Sequence, residues 1–437
     1  MSETVSIISN DSPFQGLGFV FAAFIIVSET AGSGILALPQ AMVATGYWGL
    51  PLIVVLGILM AYNGSCLGKS YEIILEEGST ASHRDPYPVI AEVSGSTIGR
   101  KSKSIFRQMT IVSMVVMNYG SGVVFLVLIA QYLNDLFHQY LPNYPLTHCH
   151  WIIITGILVT PTTWLGSPKD LGVISLASVI ITAIACILII IRLILDYKEG
   201  YHPKNNCPTS KDNEFSFQSL LGIIESYSTV MFAFAGASVY PSIQDDMRNK
   251  SHFKYTAILS IVLIICMYVP VSWLGYALIG DCVNRNVILS LKPGIIKSSV
   301  EILLILHLYT AITIFLNPIH QYFEFLFHIN SEFNWKRIAF RSSIMALMIF
   351  VGLSIPEFSN LLDFIGSGPS ALINFILPPC FYLLLVRSTS GLRSLPILER
   401  ILCVFIASSG LILAFFGVII SLKNIIYSHF TLPCYLK

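Results

Sequence analysis

From Leu17 to Ser421 the chain is a succession of long apolar runs joined by short polar connections. A helix rises about 1.5 Å per residue, so crossing about 30 Å of hydrocarbon takes roughly 20 mostly apolar residues. That ruler marks eleven spans, near 17–45, 48–73, 106–137, 151–165, 171–195, 216–246, 254–279, 298–327, 338–355, 358–386 and 400–422, of which the fourth is short. Runs such as VISLASVIITAIACILIIIRLIL (173–195) are apolar on every side, whereas a membrane β-strand alternates apolar and polar residues over about ten positions. The prediction is an all-α integral membrane protein of eleven transmembrane helices, with a short cytoplasmic segment, 1–16, ahead of a single transmembrane domain, 17–437. Only 11% of the residues are charged, against about 25% in soluble domains. The 25 Lys and Arg nearly cancel the 24 Asp and Glu, so the one-sided field that draws nucleic acid is missing and no such partner is expected. Residues 1–16 hold no Lys or Arg, and no removable signal peptide is expected.

Lys and Arg favour cytoplasmic loops. With the amino terminus inside, 16 of the 25 fall on inner connections, so the N-terminus is predicted cytoplasmic and, eleven being odd, the C-terminus outside or lumenal. Sequons beginning at Asn10, Asn63 and Asn249 then lie inside or within a span, and no N-glycan is expected. Cys149, Cys207, Cys282 and Cys434 fall on the oxidising side, and one bridge is expected among the first three, its pairing left open. No Cys/His spacing fits a metal site, and HEXXH, GxSxG and Walker A patterns are absent. Neither a metal nor an enzymatic activity is predicted.

Two faults in the apolar pattern carry the functional information. Span 1 contains SETAGSGILALP, Ser28 to Pro39, and span 6 contains FAFAGASVYPSI, Phe232 to Ile243; each joins small residues to a proline. In hydrocarbon the backbone groups freed by such a break need partners inside the protein or in a wet cavity. Spans 1 and 6 each open a set of five, giving repeats near 17–195 and 216–386 with an extra helix near 400–422. Matched interruptions in two halves mark an inverted-repeat secondary transporter, with substrate between the breaks near mid-membrane.

The residues then resemble a family, the amino acid/auxin permeases. The resemblance rests on AGSGILALP followed by ATGYWG, TTWLGSPKDLGVIS between spans 4 and 5, FAFAGASVYPSIQDDMRN at span 6, LNPIHQYFE in span 8 and IGSGPSALINFILPPCFYLLL in span 10. It implies a fold like that of LeuT with one helix fewer than twelve, helices 1 and 6 broken, alternating access, and small amino acids as substrates. Glu29 and Thr30 stand ahead of Gly32 where an uncharged polar residue is more usual in the family, which leaves the coupling ion open between proton and sodium.

A zwitterionic amino acid offers a carboxylate for N–H groups where span 1 restarts, around Ser33 and Gly34, and an ammonium for carbonyls at the ends of the first half-helices. The substrate contacts predicted are Thr30, Ala31, Gly32, Ser33 and Gly34 in span 1 and Phe232, Ala233, Phe234, Ala235 and Gly236 in span 6. Tyr119, in mid-span 3, resembles the carboxylate contact of the LeuT-like fold. Intramembrane ionisable groups are costly and count as functional, so Glu29 and Glu225 are predicted to couple protons. Thr310 and Thr313, one turn apart in span 8, would instead hold sodium with span 1 carbonyls. The function expected is a proton-coupled amino acid carrier, a monomer in the plasma membrane or in a lysosomal, vacuolar or vesicular membrane. The alternatives are a sodium symporter and an amino acid-sensing receptor with little flux.

Overall fold

The computed structural model describes residues 16–76, 86–141, 143, 145–164, 171–201, 217–330, 333–355, 357–388, 395–427 and 433–436. In chain order its α-helices are α1 (Phe19–Thr30), α2 (Leu38–Val43), α3 (Gly49–Glu76), α4 (Pro86–Ser96), α5 (Arg100–Tyr140), α6 (His148–Trp164), α7 (Leu171–Lys198), α8 (Phe217–Ala233), α9 (Tyr240–Asp245), α10 (Phe253–Ile279), α11 (Ile295–Leu326), α12 (Trp335–Ser354), α13 (Phe358–Ile365), α14 (Leu377–Ser388) and α15 (Ile397–Tyr427). Among the described residues nine helical stretches are long and apolar enough to cross a membrane, where the sequence reading expects eleven spans. The difference lies in the first span, split into α1 and α2, and the fourth, which is α6 with 17 residues.

Satisfying every backbone polar group internally forces the spans to be helical, and side chains then sort them into two packed sets. Spans 1, 2, 6 and 7 pack together, through α1 on α10, α3 on α10 and α2 on α8. Spans 3, 4, 8 and 9 form the second set, through α5 on α11, α6 on α12 and α5 on α6. α7 touches both sets, while α13 and α15 flank α8. α4 is an addition that span counting cannot see. It lies along α5, where Glu92 pairs with Lys103 at 3.2 Å and with Arg107.

Spans 1 and 6 are also stitched together at the end where α1 begins. The Leu17 amide donates to the Asp246 carbonyl at 2.9 Å and the Arg248 amide donates to the Leu17 carbonyl at 3.0 Å. A Cβ at Gly16 would lie 2.8 Å from the Arg248 nitrogen, so only glycine permits this approach.

At the other end of the bundle Cys149 is joined to Cys434, a pair beyond the one bridge expected among Cys149, Cys207 and Cys282. Residues 433–436 lie over α12, where Tyr435 stacks on Phe350 with ring centroids 6.1 Å apart. α12 packs along α6, which carries Cys149, and this placement brings the two cysteines together. Cys282 is disulfide-bonded as well, and Cys207 lies outside the described residues.

Candidate functional site

The two broken spans share one internal order. α1 ends at Thr30, Gly32 precedes a 3-10 turn over Ser33–Leu36, and α2 carries Pro39 in its first turn. α8 ends at Ala233, Gly236 precedes a 3-10 turn over Ala237–Val239, and α9 carries Pro241 in its first turn. Proline is tolerated there because a first-turn N–H has no helical partner to lose. The prolines therefore start the second half-helices, and the small residues before them make the breaks.

The breaks lie against each other. A Cβ at Gly34 would strike the Ala233 Cα and sit 2.8 Å from the Ala233 Cβ, while one at Gly236 would strike the Thr30 hydroxyl. Thr30, Ala31, Gly32, Ser33 and Gly34 are all buried, as are Phe232, Ala233, Phe234, Ala235 and Gly236. The structure thus brings together every substrate contact predicted from the two breaks. The two phenylalanines, however, are spoken for by packing. Phe234 lies 5.3 Å from the Tyr268 ring, centroid to centroid, with its tip beside Gly57, and the Phe232 Cβ lies beside Gly366.

The polar groups of the two breaks are treated differently. In span 6, Asn374 Oδ1 accepts from the Gly236 amide at 2.9 Å and from the Ala237 amide at 2.7 Å, and its Nδ2 donates to the Ser370 carbonyl at 2.8 Å. Asn374 sits in π-wound turns, Gly366–Ser370 and Leu372–Ile376, that interrupt span 10; such turns collect at functional sites. In span 1 no side chain caps the turn that starts at Ser33. Buried beside it, the Thr30 and Ser33 hydroxyls have no hydrogen-bond partner. His307 Nε2 faces Gly32, 3.1 Å from where a Cβ would be, and its Nδ1 is held by the Ser178 hydroxyl at 2.6 Å. The Tyr268 hydroxyl, from α10, donates to the carbonyls of Thr30 at 3.1 Å and Ala233 at 2.7 Å, the last carbonyls of α1 and α8.

The other predicted residues make no hydrogen bond to the two breaks among the described residues. Tyr119 is half-buried, its hydroxyl without a hydrogen bond. Thr310 is exposed and bonds the His307 carbonyl of its own helix at 2.8 Å, and Thr313 meets Thr162 of α6 at 3.0 Å. Neither hydroxyl is directed at a span 1 carbonyl: Thr310 satisfies itself on the preceding turn, Thr313 is taken by Thr162, and α11 presents His307 to the break instead. Glu225 accepts from Asn424 at 3.0 Å, and its neighbour in the same cluster, Asp363, accepts from Thr229 at 2.8 Å. Glu29, in the last turn of α1, is half-buried and makes no hydrogen bond or ion pair among the described residues.

A route to the centre opens from one end. A cavity of about 440 Å³ runs from the end where α4 lies, past Arg107, Gln321 and the exposed Phe325, to the buried Asn118 and Ser238. Ser238 belongs to the 3-10 turn of span 6, two residues from Gly236. Toward the opposite end, a pocket of only about 60 Å³ is lined by Gln40, Glu225, Arg285 and Asp363 among others.

Residues 15–423 match the family described as transmembrane amino acid transporter protein. The chain belongs to this family. Its relatives include amino acid transporters. One is amino acid transporter AVT1B of Arabidopsis thaliana, 26% identical over 433 residues, covering 96% of this chain and 72% of the relative. Another is AVT1J of the same plant, 24% identical, with 96% and 94% covered. Among solved structures, a manganese transporter of Eremococcus coleocola aligns with a TM-score of 0.60 at 12% identity over 98% of this chain and 92% of its own. MhsT bound to L-phenylalanine aligns with a TM-score of 0.53 at 11% identity over 93% and 99%. At such identities the likeness speaks for the fold alone, and that fold is LeuT-like. The amino acid transporter family thus carries this chain as a multi-pass integral membrane protein.

Proposed function

We propose that this amino acid transporter is a proton-coupled secondary carrier of small amino acids that works by alternating access, with the substrate held between the breaks of spans 1 and 6. The observation that supports it most is the apposition of those breaks beside a cavity that reaches in from the end where α4 lies. Substrate carboxylate would take the uncapped amides from Ser33, since Asn374 already occupies those of Gly236 and Ala237. Its ammonium would take the converging carbonyls of Thr30 and Ala233. Spans 1, 2, 6 and 7 would rock against spans 3, 4, 8 and 9, opening the small pocket at Arg285 as the large cavity closes.

The test is uptake of each labelled amino acid into proteoliposomes under an imposed proton or sodium gradient, beside binding to the same preparation. Saturable uptake driven by the proton gradient is expected. Binding without flux would make the protein a receptor, and dependence on sodium alone would remove the proton.

The same reading takes the protein to cross eleven times, with two repeats near 17–195 and 216–386 and a further helix. It works as a monomer in the plasma membrane or a lysosomal, vacuolar or vesicular membrane, with the N-terminus in the cytosol. Cys149 and Cys434 are bonded and so share a side, which an even number of crossings between them satisfies. A tag before Met1 is expected to be reachable only from the cytosol and one after Lys437 only from the outer or lumenal side. Non-reducing electrophoresis of a protein cleaved between the two cysteines should keep its fragments joined. Both tags on one side would show that α6 or the split first span does not cross.

A further inference from the structure

Where α1 and α8 end, two helix dipoles point their negative ends at one spot, and last-turn carbonyls there have no helical donor. In this structure one hydroxyl serves both, and the Thr30 carbonyl also accepts from the Gly32 amide at 3.0 Å. Tyr268 is fully buried on α10 and donates to the Thr30 carbonyl at 3.1 Å and the Ala233 carbonyl at 2.7 Å. A phenol carries a single hydrogen, so it shares one donor between two acceptors, whereas an ammonium supplies three. The same spot holds two more buried groups in want of a partner, the hydroxyls of Thr30, 5% exposed, and Ser33, 2% exposed. Nothing in the sequence singles out Tyr268, which stands in an ordinary apolar run, ICMYVPVSW.

We propose that Tyr268 is a positioning residue whose hydroxyl substitutes for the substrate ammonium in the empty carrier, holding the two breaks shut so that the unloaded protein can return across its cycle. The inference rests on the transport reading above. A carrier that accumulates substrate must reorient empty once per cycle, and in that leg the Thr30 and Ala233 carbonyls are buried without substrate. The Thr30 carbonyl keeps the Gly32 amide, but a buried Ala233 carbonyl left without a donor is costly. The phenol removes that cost only in the empty state. When substrate arrives, its ammonium takes the carbonyls and the phenol rotates off them, so Tyr268 matters less to the loaded crossing. The ring stays packed on Phe234 in either case.

Tyr268→Phe keeps the ring and removes the donor. Wild type and variant are reconstituted at equal amounts of folded protein, judged by size-exclusion profile. Two rates are measured with labelled L-alanine, or with the amino acid wild type takes up fastest. The first is net uptake into empty vesicles, which requires the empty return. The second is exchange into vesicles preloaded with the same unlabelled amino acid, which does not. Net uptake is expected to fall by about tenfold or more while exchange falls by less than about threefold. Equal losses in both rates, or no loss in either, would overturn the proposal. So would a variant that fails to fold, which would make the hydroxyl a structural tie. Wild-type vesicles that exchange no amino acid at all would instead overturn the transport reading on which the proposal stands.

Discussion

Gly34→Ala is expected to lower amino acid uptake to about 1% of wild type in protein that still reaches its membrane, because overpacking of a close contact costs about 1–3 kcal/mol and each ~1.4 kcal/mol is a factor of ten. The added methyl would meet the Ala233 Cα and, at 2.8 Å, the Ala233 Cβ. Main chain cannot rotate aside, so the two breaks must separate by the width of a methyl group. That displaces the Thr30 and Ala233 carbonyls from the common point where one donor reaches both. Gly236→Ala meets a different neighbour, the Thr30 hydroxyl, which can turn about its own side-chain bond. Its expected loss is smaller, about three- to tenfold. Leucine at either position has no such escape and removes uptake. Initial uptake rates per folded transporter in proteoliposomes check the order. Normal uptake by Gly34→Ala would place the substrate away from the breaks. A larger loss for Gly236→Ala than for Gly34→Ala would show that the Ala233 contact is not the limiting one.

What the sequence made legible is what hydrocarbon forces. Long apolar runs have to be helices, and Gly32, Gly34 and Gly236 stand out because nothing in a membrane favours interrupting a helix without a use for the freed backbone. The matched order of glycine, turn and proline follows from residues near one another in the chain, so it survives reading in one dimension. The site's partners do not. Asn374 and Tyr268 reach the breaks from spans 10 and 7, and their value lies in which backbone groups they meet, something set by packing of distant helices. A signal for span 10 was present in IGSGPSALINF, whose glycines and proline become the π-wound turns, though its small residues read equally as helix packing. The two threonines of span 8 were misleading for a local reason. Helical spacing put them on a common side without saying which side faces the break, and rotation of α11 gives that place to His307. The Cys149–Cys434 bond was beyond the reading because it needs the path of the chain after its last span.

Glu29→Gln is expected to abolish concentrative uptake and flatten its pH dependence between about pH 5 and 8 while sparing exchange, the pattern of a lost proton carrier rather than a lost fixed charge. Among the acidic groups of the spans near the breaks, Glu225 is bonded to an amide and Asp363 to a hydroxyl, partners that hold them in place. Glu29 has no such hold, is half-buried, and lies in the last turn of α1, one residue before Thr30, whose carbonyl shares Tyr268. Exchanging a proton there changes the charge beside the ammonium position in one step. Glutamine keeps the shape and the hydrogen-bonding capacity but is neutral at every pH, so a carrier relying on Glu29 loses its link to the gradient and keeps its loaded crossing. If Glu29 were only a fixed counter-charge for substrate, the same substitution would weaken binding equally at all pH values and exchange would fall with net uptake. Tyr268→Phe also separates net uptake from exchange, yet it removes no ionisable carboxyl and should leave the pH profile of the remaining uptake with its wild-type shape. Measuring both variants across that range therefore assigns the two halves of coupling to different residues, and Glu29→Gln with an unchanged pH profile and intact accumulation would take Glu29 out of the mechanism.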